Sequence, residues 1–184
     1  MSKLKIVVVS GNLGAPSKTL TLAAQIVAAV TAHIDTEEKI YQLADLAATF
    51  GVARNPGELD DAGKSVIQNI ESADILIAVT PVYKGSYTGL FKHLFDFIHP
   101  LALSEVPVII GATGGGEKHA LILEHQLRPL FGFFGASTVP VGIYATEKNF
   151  ENGVITDEIV QERIIAAARQ AVALVQKRTL AHIN

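Results

Sequence analysis

The sequence predicts an α/β fold of three layers, a five-stranded parallel sheet of order 2-1-3-4-5 with helices on both faces. Three observations predict it. Short β-branched runs that are apolar throughout recur along the chain, as strands buried on both faces require. Segments with apolar residues at helical spacing alternate with them. Loops rich in glycine and hydroxyl residues follow the first, third and fourth of these runs.

The elements follow in order. KIVVVS (5–10) is a buried strand, Gly11 to Pro16 a loop, and Ser17 to His33 a helix. Lys39 to Gln42 is a weaker second strand. Ala44 to Leu59, broken by Gly51, Pro56 and Gly57, reads mostly as loop. Asp60 to Glu71 is a helix whose acidic start suits the helix dipole. Then come ADILIAVT (73–80) as strand, PVYKGSYTG (81–89) as loop and LFKHLFDFI (90–98) as helix. VPVIIGAT (106–113) is the fourth strand, GGGEK (114–118) a loop and HALILEHQLRPLFGFF (119–134) a helix. Ser137 to Tyr144 is the fifth strand, and Thr156 to Lys177 a long last helix with Lys177 and Arg178 at its C-terminal dipole. This is a flavodoxin-like arrangement. No internal repeat or low-complexity linker interrupts it, so residues 1–184 read as one domain.

Composition narrows the function. The apolar fraction of 49% and mean hydropathy of +0.34 describe a folded chain, and no apolar run is long enough to span a bilayer. The chain has no cysteine, which removes disulfides, thiolate metal sites and a cysteine nucleophile, and fits a cytoplasmic location. The six histidines form no close metal-ligand pair, so no metal is expected. A net charge of −3 without a basic block argues against nucleic acid as a partner.

In folds of this class, ligands sit beyond the carboxyl ends of the strands. The first loop there, Ser10 to Thr19, enters a helix with Ser17, Lys18 and Thr19. Hydroxyls, a cation and helix N–H groups suit a phosphate, although Ser17 reads equally well as a helix cap. Neither the P-loop nor the G-x-G-x-x-G pattern fits, because Ser17, Asn12 and Leu13 stand where glycines belong. The second loop, with Pro81, Gly85 and Gly89, makes a tight turn that offers backbone and the Tyr83 ring to a planar ligand. The third, Thr113-Gly114-Gly115-Gly116, lets a ligand approach the backbone closely and presents N–H donors to a developing anion. Together the three suit a flavin mononucleotide.

Ser10 with Ser17-Lys18-Thr19, PVYKGSYTG and ATGGG (112–116), in this order and spacing, resemble the NAD(P)H-dependent FMN reductase family over nearly the whole chain. The likeness is greatest to the reductases that serve alkanesulfonate and methanesulfonate monooxygenases. The resemblance implies that Ser10, Asn12, Ser17, Lys18 and Thr19 hold the FMN phosphate. It implies that Pro81, Val82, Tyr83, Lys84, Gly85 and Ser86 border the isoalloxazine and ribityl chain, and that Thr113, Gly114, Gly115 and Gly116 meet the pyrimidine edge. It further implies NADH or NADPH as hydride donor, a separate flavin-dependent monooxygenase as recipient of reduced FMN, and a homodimer or homotetramer. Family members often carry an arginine in the first loop, where this chain has Asn12-Leu13-Gly14.

Leu123, Leu127, Leu130 and Phe134 recur at helical spacing, with Pro129 among them. Proline lacks an N–H, so the His125 carbonyl loses its helical partner, a defect relieved by a kink or a π-bulge. The sulfonate-linked reductases resemble this region and carry a π-helix here. A tyrosine occupies the insertion in the alkanesulfonate type. His125 stands in its place, which resembles the methanesulfonate type and makes His125 a candidate to affect flavin exchange or assembly.

The chemistry expected is hydride transfer from nicotinamide to flavin N5, with no side chain acting as acid or base. Five arginines, none in the three loops, favour NADH over a 2′-phosphorylated donor. Two other readings stay open: a quinone or azo-dye reductase with tightly held FMN, and an FMN electron carrier.

Overall fold

A computed structural model describes residues 3–181. Its sheet is built from β1 (Leu4–Ser10), β2 (Thr36–Gln42), β3 (Ile75–Pro81), β4 (Pro107–Gly114), β5 (Ser137–Thr138) and β6 (Ile143–Thr146). The order is β2-β1-β3-β4-β5, all parallel, with β6 pairing β4 further along. This is the flavodoxin-like order expected from the sequence. Val8 sits in register between Ile40 and Ile77, and Ile77 beside Ile109.

Alternation along the central strands feeds two cores. Ile6 and Val8 of β1 point into one with Ile75, Ile77 and Ile109; Val7 and Val9 point into the other with Leu76, Ala78 and Ile110. Helices α1 (Lys18–Thr31) and α6 (Glu158–Ala181) cover the first face. In α1 the buried positions Thr19, Leu22, Ala23, Ile26 and Val30 repeat at three and four residues, which places one stripe on the sheet. Helices α2 (Leu43–Phe50), α3 (Asp61–Glu71), α4 (Gly89–Phe95) and α5 (Arg128–Phe133) cover the second. Phe91, Leu94 and Phe95 of α4 are buried on one face of the helix.

Four departures from the sequence reading have physical causes. Residues 44–59 are not mostly loop, because α2 occupies Leu43–Phe50. Leu43 and Phe50 are fully buried at i and i+7 and Leu46 packs beside them, so burial of one face outweighs the glycines and the proline that follow. The expected strand Ser137 to Tyr144 is two short strands. Between them Pro140 offers no N–H, and the carbonyls of Val139 and Pro140 accept from the Arg128 guanidinium instead of a strand. A small antiparallel hairpin, β7 (Phe150–Glu151) with β8 (Val154–Ile155), follows β6. Its turn residues Asn152 and Gly153 both have positive φ, 49° and 81°, as the Asn-Gly pair favours. The helix expected over 119–134 is divided into a 3-10 turn (Glu117–His119), a π-helix (Leu123–Leu127) and α5. In the π-helix the Arg128 N–H reaches back five residues to the Leu123 carbonyl, the bulge that Pro129 predicted.

Candidate functional site

Three loops meet at the carboxyl end of the sheet. The first leaves β1 through Gly11, whose N–H donates to the Val79 carbonyl at 2.7 Å. A Cβ at Gly11 would lie 2.8 Å from Thr80 Oγ1 and 3.1 Å from the Thr80 backbone, so only glycine lets the loop lie this close to β3. The Thr88 hydroxyl donates to the Gly11 carbonyl from the other side. Ser10 Oγ donates to Asn12 Oδ1 at 2.7 Å, and the Asn12 amide donates to the Gly14 carbonyl and to Gln42 Oε1. Both residues are buried and shape the loop. Ser17 then caps α1, its Oγ accepting from the Leu20 N–H at 3.1 Å.

The second loop is pinned by Tyr83 and Ser86, which exchange both backbone hydrogen bonds at 2.9 and 3.2 Å. Between them Lys84 and Gly85 have φ of 53° and 84°, the geometry of a type I′ turn. A lysine in this region is uncommon, and Gln126 of the π-helix holds the turn from outside. The Gln126 amide donates to the Gly85 carbonyl at 3.2 Å, and its oxygen accepts from the Ser86 hydroxyl. The third loop is tied to the first by a hydrogen bond between the Thr19 and Thr113 hydroxyls, and to β6 by Tyr144, whose hydroxyl donates to the Gly116 carbonyl at 2.6 Å. Burial, reinforced by the nearby Glu117 carboxylate, raises the Tyr144 pKa above the usual tyrosine value and keeps this donor protonated.

These loops enclose a cleft of about 680 Å³. Asn12, Ser17, Lys18, Thr19, Pro81, Val82, Tyr83, Thr113, Gly114 and Gly115 line it. Of the other residues singled out in the sequence, Ser10 lies beneath the first loop, and Lys84, Gly85, Ser86 and Gly116 stand outside the lining. His125 lies apart from the cleft, in the π-helix. It lines a second groove of about 590 Å³ together with Pro129, Leu130 and Phe133. The sequence reading missed Thr146, Glu147, Phe150 and Gly153, which bring the turn after β6 and the small hairpin to the cleft. The Asn152-Gly153 pair was the available signal for that hairpin. Nothing local marked Gln126 or Tyr144, whose partners lie far away in the chain.

Lys18 reaches across the cleft to Glu147, with Nζ 3.1 Å from Oε1. Arg128 forks onto Glu124 and also donates to Thr138 Oγ1 and to the Val139 and Pro140 carbonyls, fastening the π-helix to the break between β5 and β6. That hydrogen bond lowers the Glu124 pKa and raises that of Arg128. Among the described residues no cluster of acidic or histidine side chains could hold a metal ion, and no helix is long and apolar enough to cross a membrane.

Known proteins are similar to this chain in sequence and fold. Residues 4–151 match the family model of NADPH-dependent FMN reductases. The chain is 47% identical over 171 residues to the NADH-dependent FMN reductase SfnF of Pseudomonas fluorescens, covering 93% of this chain and 91% of that protein. It is 47% identical over 177 residues to the FMN reductase (NADPH) of Pseudomonas aeruginosa, covering 94% and 93%. Among solved structures, an oxidoreductase of Corynebacterium diphtheriae superposes with a TM-score of 0.87 at 31% identity, over 95% of this chain and 98% of that one. With its sheet order, its three loops around one cleft and these relatives, the chain belongs to the NADPH-dependent FMN reductase family and is an NAD(P)H-dependent FMN reductase.

Proposed function

We propose that the cleft binds FMN with its phosphate at the start of α1 and its ring between the Tyr83 turn and the glycine loop, and that reduced FMN then passes to a separate sulfonate monooxygenase. The convergence of all three loops on one cleft carries this reading. The cleft also fits the group chemically. Ser17, Lys18 and Thr19 offer hydroxyls and a cation at a helix N-terminus, while a Cβ at Gly115 would meet nothing, so the backbone faces open space.

Bound there, the flavin supplies N5 as acceptor of the nicotinamide's hydride. The protein's residues position and polarise. Pro81, Val82 and Tyr83 wall the ring, and the turn Tyr83 to Ser86 keeps that wall in place. The backbone from Thr113 to Gly115, which lines the cleft, would offer N–H groups to negative charge on the pyrimidine side, as an oxyanion site does. Ser10 and Asn12 act by holding the first loop in shape. No side chain lining the cleft is required as acid or base. No arginine lines it either, which supports NADH as the favoured donor. The groove beside His125 is the proposed surface for a homodimer or homotetramer.

The test is nucleotide oxidation at 340 nm by flavin-free protein, with NADH and NADPH in turn, with and without added FMN. Oxidation that requires FMN and saturates with it is expected, faster with NADH. Oxidation that is indifferent to added FMN, with flavin retained through dialysis, would instead favour a quinone or azo-dye reductase.

A further inference from the structure

We infer that Glu147 sets how loosely FMN is held, by competing with the flavin phosphate for the Lys18 ammonium. The inference rests on the proposed placement of the phosphate at the start of α1. Among the residues lining the cleft, Lys18 is the one cation and Glu147 the one anion, and they are paired with each other at 3.1 Å. The one cationic side chain lining the cleft is therefore already engaged.

The backbone at Glu147 is fixed by its surroundings. Thr146, the last residue of β6, is buried and in register with Gly114 of β4. Its N–H and its hydroxyl both donate to Asn149 Oδ1, at 2.7 and 3.0 Å, closing the 3-10 turn Glu147–Asn149. Glu147 thus leaves the sheet at a fixed point beside the glycine loop, facing α1.

Both side chains of the pair reach solvent, so the pair itself adds little to folding. Its consequence falls on the ligand. A phosphate monoester carries about 1.5 to 2 negative charges at neutral pH. Seating it by Ser17 and Thr19 requires Lys18 to be shared with or released from Glu147, and leaves a carboxylate facing the phosphate. Both effects weaken the phosphate end alone and leave the ring contacts untouched. A flavin held this way exchanges readily, as one handed on after reduction must.

The experiment measures dissociation constants of FMN and of riboflavin, which lacks the phosphate, by quenching of flavin fluorescence at low and high salt. It compares the wild type with Glu147→Gln and Glu147→Asp. Glu147→Gln is expected to tighten FMN about five-fold at low salt, an effect that shrinks at high salt. Riboflavin affinity is expected to stay unchanged, and Glu147→Asp to remain near the wild type. If Glu147→Gln folds poorly, Glu147→Ala carries the same expectation. Unchanged or weakened FMN binding in a wild type that prefers FMN to riboflavin overturns this inference and leaves the FMN placement standing. Equal tightening of FMN and riboflavin also overturns it, because the effect then does not act on the phosphate. A wild type that binds FMN and riboflavin equally overturns the phosphate placement and this inference with it.

Discussion

The hydroxyls of Thr19 and Thr113 meet at 2.7 Å, joining the start of α1 to the end of β4 across 94 residues of sequence. Both residues are buried. This bond links the loop proposed to hold the phosphate to the glycine loop. Replacing either threonine with valine keeps the shape and leaves the other hydroxyl buried without its partner, at a cost of about 1 to 3 kcal/mol. The double variant, which removes both hydroxyls, is expected to recover part of that loss. Urea denaturation of the two single variants and the double variant checks this. Losses that simply add would show that the two hydroxyls are not coupled.

Gln126 is the π-helix residue that touches the ring-side turn. Gln126→Leu removes the acceptor for Ser86 and the donor to Gly85 together, releasing a turn that holds Lys84 at positive φ. The expected result is a KM for FMN raised about ten-fold, with riboflavin affected equally, since the phosphate end is untouched. Ser86→Ala in the same background should add little. Steady-state kinetics with both flavins, with melting temperatures as a check on folding, measure it.

Tyr144 gives a pH signature. Its folded pKa is raised by burial and by Glu117, so the neutral hydroxyl is favoured in the folded protein. The stability it contributes is fully present below the ordinary tyrosine value and is lost as pH rises through the raised one. An absorbance titration at 295 nm should show a tyrosine ionisation above the ordinary tyrosine value. In Tyr144→Phe that late step should vanish, along with the matching loss of stability at alkaline pH.

Glu124 behaves with the opposite sign. Its folded pKa is lowered by the hydrogen bond from Arg128, so its contribution is present above the ordinary glutamate value and is lost as pH falls through the lowered one. Glu124 is half exposed, and Glu124→Gln should cost less than about 1 kcal/mol at neutral pH. Arg128→Ala should cost more, about 1 to 3 kcal/mol, because it also strips a donor from Thr138, Val139 and Pro140. Denaturation at neutral and acid pH separates the two variants. An equal cost at neutral pH would rule out the anchoring role of Arg128.

What could be read from the sequence was what depends on local pattern. The apolar runs of β1, β3 and β4 state their burial directly, and the glycines and hydroxyl residues after them mark the end of the sheet where the cleft lies. Pro129 disclosed an irregularity in its helix because a missing N–H is a local fact, and the structure resolves that irregularity as a π-helix. Helix α2 was hidden, since its amphipathic face is only two turns long and lies next to Gly51 and Pro56. The break between β5 and β6 was hidden because its carbonyls are satisfied by a guanidinium from another element. Glu147 carried no mark at all: an acidic residue in a turn looks like any solvated charge until the sheet sets it opposite Lys18.

The two cores differ in kind as well as in place. Phe50, Phe91, Phe95, Phe97, Phe131 and Phe134 are all buried on the face covered by α2 to α5, with Phe95 edge-on to Phe131 at 5.1 Å, whereas the fully packed members of the other core include no aromatic ring. Methyl groups of Val7, Val9 and Leu76 therefore share a core with these rings, while those of Ile6, Val8 and Ile75 belong to the core whose buried members are aliphatic. The sheet thus separates two magnetic environments, so methyl resonances could report loosening of the layer beneath the π-helix independently of the layer formed by α1 and α6.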